Sequence, residues 1–247
     1  MLEEHVESNL RRWGFLFTEM VLIVASILLA FALDSWWDER KDREEEQQIL
    51  IGLRDEFSHG RGLLVDRIEQ HETDLRKMET LLAATYEGEW TSKEFSVDAT
   101  LAAMIAPPTT DLGKGVLDAL ISSGRIELLR DQKLRALLAA WASVFGEVSD
   151  DEHMSRAFVF DRVIPYMIEH AVPISGPMGV WWGDWAPALK SVADSPEELA
   201  RLLGDRHFAV MLEARLGFKW HTSGEYEDAL DAVDAILAEI DESLAGN

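Results

Sequence analysis

Residues 13–33 read WGFLFTEMVLIVASILLAFAL, an almost unbroken apolar run in which Glu19 is the one ionisable group. No other feature restricts the fold of this chain as much. Coiled into a helix, the run spans roughly 30 Å, the hydrocarbon thickness of a bilayer. Trp13 stands at one end and Trp36 and Trp37 at the other, where interfacial aromatics belong. The expectation is a transmembrane helix over 13–37 behind a short tail over 1–12. A cleaved signal peptide competes with it, because Arg11 and Arg12 precede the run and Ala30-Phe31-Ala32 has a small-x-small form. The length of the run, its carboxylate and the charged continuation beyond Trp37 favour an uncleaved anchor.

Glu19, Ser26, Ala30 and Asp34 are spaced by seven and four, with Ile23 between, and so share one face of that helix. One reading is a helix–helix seam, since small residues allow close approach and a carboxylate can bond across. Glu19 could instead snorkel to the headgroups, or act as an ion or proton relay in a larger complex, as ionisable groups in bilayers often do. The seam is carried forward. It makes a second copy, or another membrane protein, the expected partner beside the lipid bilayer. Arg11 and Arg12 flank one side of the span, and Arg40, Lys41 and Arg43 the other. The plain Lys/Arg count favours a cytoplasmic C-terminal side, but long domains translocate largely regardless of charge and Arg11 and Arg12 sit closest to the span, so the expected orientation has the N-terminus inside and the domain outside, on the periplasmic face of a bacterial inner membrane.

Charge removes one class of partner. Lys and Arg number 23 against 46 Asp and Glu, a formal net charge of -23, which repels phosphate backbones and argues against nucleic acid. There is no cysteine, which excludes disulfides, thiolate metal sites and cysteine nucleophiles.

From Asp38 the helical pattern continues without proline, giving a long membrane-proximal helix over 38–87. Its first part, DERKDREEEQQ, is charged all round and should stand in water. Leu53, Phe57, Leu64, Ile68, Leu75, Met78 and Leu82 then form a coiled-coil-like face, with Gly60 and His71 in it and a bend expected at Gly60 or Gly62. GEWTSKEFS, residues 88–96, reads as a loop, and Pro107-Pro108 ends the apolar stretch Val97–Ile105. The remainder, 88–247, is expected to be a helical bundle packed on the long helix. The fold class is therefore all-α.

Within that bundle, Leu117, Leu120 and Ile121 define a helical face closed by Ser122-Ser123-Gly124-Arg125. After a short bridge of Ile126, Leu128 and Leu129, Asp131 opens the next helix, whose core side is Leu134, Leu137, Leu138, Trp141 and Phe145. Ser122, Ser123, Gly124, Arg125 and Arg135 read as a helix corner. A sharper alternative has Ser123, Arg125 and Arg135 binding an anionic group there. Asp150, Asp151, Glu152 and His153 form an oxygen-rich cluster for which a cation site is conceivable, but adjacent residues fan around a helix start and the ordinary reading is an acidic first turn. Phe158, Phe160, Val163, Ile164 and Met167 stand in helix-compatible register, and Pro165 kinks or interrupts the run.

The early TEMVLIVASILLAFALDSWWDERK and the central SSGRIELLRDQKLRALLAAW together resemble a family of bacterial single-pass membrane proteins of unknown function. That family has a glutamate in its N-terminal transmembrane helix, a Trp-rich charged exit and a central SSGK(I/L)xLIxNxxLR segment. Glu19, Trp36, Ser123, Gly124, Leu134 and Arg135 fall on its pattern. Residues 38–48 depart from it by their acidity, and Asp131 stands where the family often has Asn. The resemblance implies architecture and no activity.

Trp181, Trp182 and Trp185 lie in a Pro- and Gly-rich stretch and either plug the bundle or present a partner or ligand surface. Ser195-Pro196-Glu197-Glu198 is a helix start. Beyond Asp205, Tyr226, Leu230, Val233, Leu237, Ile240 and Leu244 repeat the rhythm of the first long helix, so the two should pack together or against symmetry mates. No nucleotide loop, zinc-protease helix, nucleophile elbow or dinucleotide fingerprint is present. The seven histidines are scattered, and the expectation is a protein with no catalytic residues, no metal and no cofactor. Three roles follow: a self-associating scaffold or assembly subunit, an extracytoplasmic sensor, or an accessory subunit of an ion-driven complex using Glu19.

Overall fold

The computed structural model describes residues 2–87, 96–106, 109–110, 112–113, 115–173 and 191–246, with side chains from Glu19 onward except Ala193. Among these the chain is helical with no strand, so the fold is all-α. The expectations at Trp13, at the loop before Ser96, at Pro107-Pro108 and at Trp181, Trp182 and Trp185 lie outside the described side chains.

The first helix, α1, runs from Leu2 to Glu87 without interruption. At 1.5 Å per residue it is roughly 130 Å long. No break occurs at Gly60 or Gly62, where a bend was expected. A Cβ at Gly60 would make only an ordinary van der Waals contact, 3.7 Å from Leu112 Cδ2. From Glu19 to Glu44 every side chain of α1 is exposed. Its apolar window is long and apolar enough to cross a membrane, and none of it is buried within the protein. Beyond Glu45 the same helix becomes a strut of the bundle, with Leu50, Leu53, Leu64, Met78 and Leu81 fully buried.

Two other long helices complete the frame. Helix α4, Gln132–Phe158, follows α2 (Val97–Ile105), α3 (Gly115–Ser122) and the 3-10 turn Arg125–Leu128. Helix α7, Arg206–Gly246, follows α5 (Ile164–Glu169) and α6 (Pro196–Leu203). The pairs Arg61–Asp234 and Lys219–Asp74 show that α7 runs antiparallel to α1, and Lys133–Glu239 and Tyr226–Glu152 show the same against α4. Helices α1 and α4 are consequently parallel, with Phe57 edge-on to Trp141 at 5.5 Å. Parallel neighbours need a long return connection, and residues 88–131 supply it.

Helix ends follow their capping chemistry. Asp131 Oδ1 accepts from the N–H of Lys133 (2.7 Å) and Leu134 (3.0 Å), starting α4. Ser195 Oγ accepts from Glu198 N–H ahead of Pro196, and Asp205 Oδ1 from His207 N–H at the start of α7. Helix α3 is capped from outside, its Val116 and Leu117 N–H groups donating to the Glu56 carboxylate of α1 at 2.7 and 3.1 Å.

One expectation fails for a local reason. Asp150–His153 does not begin a helix but sits in the middle of α4, because no proline or cap interrupts the run from Gln132. Of the apolar residues in helix-compatible register around Pro165, Phe160 is exposed. Pro165 lacks an N–H, and its ring collides with the carbonyl four residues back, so the helix widens into a π-turn over Val159–Val163. Through this turn Val159 and Val163 are buried while Phe160 is exposed. Ile121 likewise lies on the exposed side of α3.

Candidate functional site

The bundle contains two separate apolar cores. The one nearer the apolar N-terminal segment gathers Leu50, Leu53, Phe57, Leu64, Leu134, Leu138, Trp141, Val233 and Ile236. The distal one gathers Met78, Leu81, Leu101, Met104, Val163, Met167, Phe208 and Leu212. Between them lies a buried polar layer: His71 and Asp74 of α1, Thr100 of α2, Glu152 and Ser155 of α4, and Arg215, Lys219 and Thr222 of α7.

Arg215 has no measurable exposure and Lys219 is 1 % exposed. Lys219 Nζ donates to Asp74 Oδ2 at 2.9 Å, while Gln70 Nε2 donates to Asp74 Oδ1 at 3.0 Å. Burial would raise the Asp74 carboxyl, but the Lys219 charge and hydrogen bond outweigh it and hold it below the usual range. Burial pushes Lys219 down to about 8, with Asp74 pulling it up. The pair is therefore ionised at neutral pH.

Arg215 is held differently. Its Nε donates to Met104 O (2.9 Å), its Nη2 to Ala106 O (2.9 Å) and its Nη1 to Ser155 Oγ (2.7 Å). Met104 and Ala106 carry terminal carbonyls of α2, so a cation from α7 closes the negative end of that helix. One guanidinium thus joins α2, α4 and α7. Burial lowers Arg215 to about 10, which leaves it charged.

His71 packs edge-on to Tyr226 at 5.0 Å, and Tyr226 OH donates to Glu152 Oε1 at 2.6 Å. Burial, with Lys219 as the next cause, brings the imidazole down to about 3, although Asp74 acts the other way. Its Nδ1 has no hydrogen-bond partner. A histidine held neutral in the fold but titrating near 6.5 when unfolded binds its proton only in the unfolded state over that interval. Stability from this group is complete above pH 6.5 and is lost as pH falls towards 3. Between pH 7.5 and 5 the loss comes to roughly 2 kcal/mol. His71→Phe keeps an aromatic ring against Tyr226 and removes the proton site. Urea unfolding at the two pH values should show the variant losing about 2 kcal/mol less than the parent; equal losses would refute the assignment.

At the corner after α3, Ser123 Oγ donates to Ala119 O at 2.7 Å and Gly124 adopts φ 72°, a left-handed conformation suited to glycine. Ser122 Oγ donates to Ala119 O as well. Arg125 pairs with Glu45, and Arg135 donates to Leu129 O. Both arginines have oxygen partners within the chain.

On the apolar N-terminal part of α1, Glu19, Ser26, Ala30 and Asp34 are exposed, and Ser26 Oγ donates to Leu22 O at 2.7 Å. Trp36 and Trp37 are exposed, with Arg40 over the Trp36 ring.

Two further groupings stand outside the layer. Tyr166 OH donates to Asp205 Oδ2 at 2.5 Å, and His170 stacks on the Tyr166 ring at 4.0 Å. A cavity of about 300 Å³ opens beside them, lined in part by Pro173, Val192, Glu198 and Arg201. On the opposite flank, Asp151 of α4 meets His221 and Glu225 of α7.

The polar layer escaped the sequence reading. A comparison of the chain with protein families, curated proteins and solved structures finds no match.

Proposed function

We propose that this chain is a non-enzymatic, membrane-anchored helical interaction protein that associates with copies of itself. Its apolar segment crosses a bacterial inner membrane and its bundle stands on the periplasmic side. The observation that carries this reading is the division of α1. Met20, Leu22, Ile23, Ile27, Leu28, Leu29, Phe31 and Leu33 are all exposed, whereas from Leu50 onward one face of the same helix is buried in the bundle. Neither apolar core of the bundle takes in a residue of the apolar segment, which therefore needs another apolar environment. A bilayer supplies it, with Trp36, Trp37 and Arg40 at the boundary.

Because anchor and strut are one helix, any pairing inside the membrane is passed directly to the bundle. The pairing face carries Glu19, Ser26, Ala30 and Asp34. The Ser26 hydroxyl is satisfied within its own helix, so its contribution is small size rather than a bond across. The same reading takes in the resemblance to single-pass membrane proteins.

Detergent-solubilised full-length protein is expected to run as an oligomer in light scattering. A Ser26→Leu/Ala30→Leu double substitution should shift it to the monomer mass without changing its helicity. A parent protein that is monomeric throughout rejects self-association. That outcome would favour the second reading, an extracytoplasmic sensor, for which the observation is the cavity beside Tyr166 and His170.

A further inference from the structure

Asp151 lies halfway along α4, 8 % exposed. Its Oδ2 is buried and accepts no hydrogen bond. A carboxylate oxygen taken out of water without a donor is costly, and something normally compensates it. Facing it across the α4–α7 contact are His221 and Glu225, four residues apart and so on one face of α7. His221 Nε2 stands 3.4 Å from Asp151 Oδ2, and one ligand atom from each of the three residues lies within 4.8 Å of the others.

We propose that Asp151, His221 and Glu225 bind a divalent transition-metal ion of the zinc class. The donor set is one imidazole nitrogen and two carboxylate oxygens. Calcium and magnesium prefer all-oxygen shells, whereas an imidazole with carboxylates suits zinc and its neighbours. Metal–ligand bonds of about 2.0–2.2 Å place adjacent tetrahedral ligands roughly 3.4 Å apart. The Asp151–His221 separation already has that value, and Glu225, half-buried on a flexible stem, closes the rest by a rotamer change. His221 is mostly exposed, which leaves an open path for the ion and room for water in the remaining coordination position.

The two ligands from α7 and the one from α4 would clamp these helices beside the buried polar layer, since Asp151 adjoins Glu152 and His221 adjoins Thr222 in sequence. Binding to the folded state alone raises stability in proportion to the logarithm of metal concentration over its dissociation constant. The proposal is independent of membrane anchoring and self-association.

The test uses untagged full-length protein in detergent, stripped with a chelator and titrated with zinc chloride in a calorimeter. One zinc per chain is expected to bind saturably and to raise the midpoint of thermal unfolding, with magnesium chloride doing neither. His221→Ala alters an exposed side chain and should fold normally. It should weaken zinc binding by about tenfold or more, since loss of a ligand costs at least as much as loss of an outer-shell partner. Glu225→Gln should do the same. Absence of saturable binding by the parent, or a loss under tenfold in His221→Ala, overturns the site and assigns any binding to histidines elsewhere.

Discussion

Lys219→Met is expected to destabilise the protein by about 3–5 kcal/mol, because it leaves the Asp74 carboxylate buried without its countercharge. Methionine fills a similar volume, so little of the loss comes from packing. Gln70 still reaches Asp74 and Lys77 lies 3.5 Å away, but neither replaces a fully buried ammonium. Once Lys219 is gone, the burial it opposes dominates and the Asp74 carboxyl titrates higher. Its folded value then exceeds its unfolded one, so the penalty is greatest at neutral pH and shrinks as pH falls towards the protonated form. Asp74→Leu/Lys219→Met removes both charges together and should return to within about 1 kcal/mol of the parent, or exceed it. Urea unfolding of the detergent-solubilised full chain measures all three proteins. A double variant no better than the single one would show that the two side chains are not coupled.

This pair was hidden from the sequence by a habit of pattern reading rather than by lack of signal. The face of α1 was read through Leu64, Ile68, Leu75 and Leu82, following apolar residues. The helix keeps a stricter four-three register, in which His71, Asp74, Met78 and Leu81 are buried and Ile68, Leu75 and Leu82 are only partly so. Asp74 was passed over for its apolar neighbour. On α7 the register read from Tyr226 onward extends backward through Thr222, Lys219 and Arg215 to Phe208, all of them buried. Carrying the spacing through charged residues in both helices would have located the layer. The all-α class, the caps at Asp131 and Ser195 and the apolar N-terminal helix were legible because each depends on local chemistry. The meeting of Asp151 with His221 and Glu225 was not, since it depends on the pairing of α4 with α7 across some seventy residues of chain. The π-turn before Pro165 falls between these cases: the proline announced a disturbance, but only packing decides which side chain is turned out.

Arg215→Met should have an effect of similar size, and a different distribution. The substitution strands the Met104 and Ala106 carbonyls and removes the donor to Ser155 Oγ, three acceptors within reach of one guanidinium. A buried acceptor left unsatisfied costs about 1–3 kcal/mol, and partial hydration of the site keeps the total near 3–5 kcal/mol. Two of those acceptors close α2, whose residues Leu101, Met104 and Ile105 belong to the distal core. The loss should therefore be felt first as loosening of α2 against α4 and α7. Hydrogen exchange in the full-length protein is expected to accelerate at the amides of α2 well before those of α1 around Leu53 and Phe57, which lie in the other core. Arg215→Lys preserves the charge, but its single ammonium cannot span two carbonyls and a hydroxyl in the way the planar fork does, so it should recover less than half of the deficit. Equal stability in Arg215→Lys and the parent would mean that charge alone matters. Unchanged exchange in α2 on removal of the guanidinium would mean that apolar packing, not the arginine, holds that helix in place.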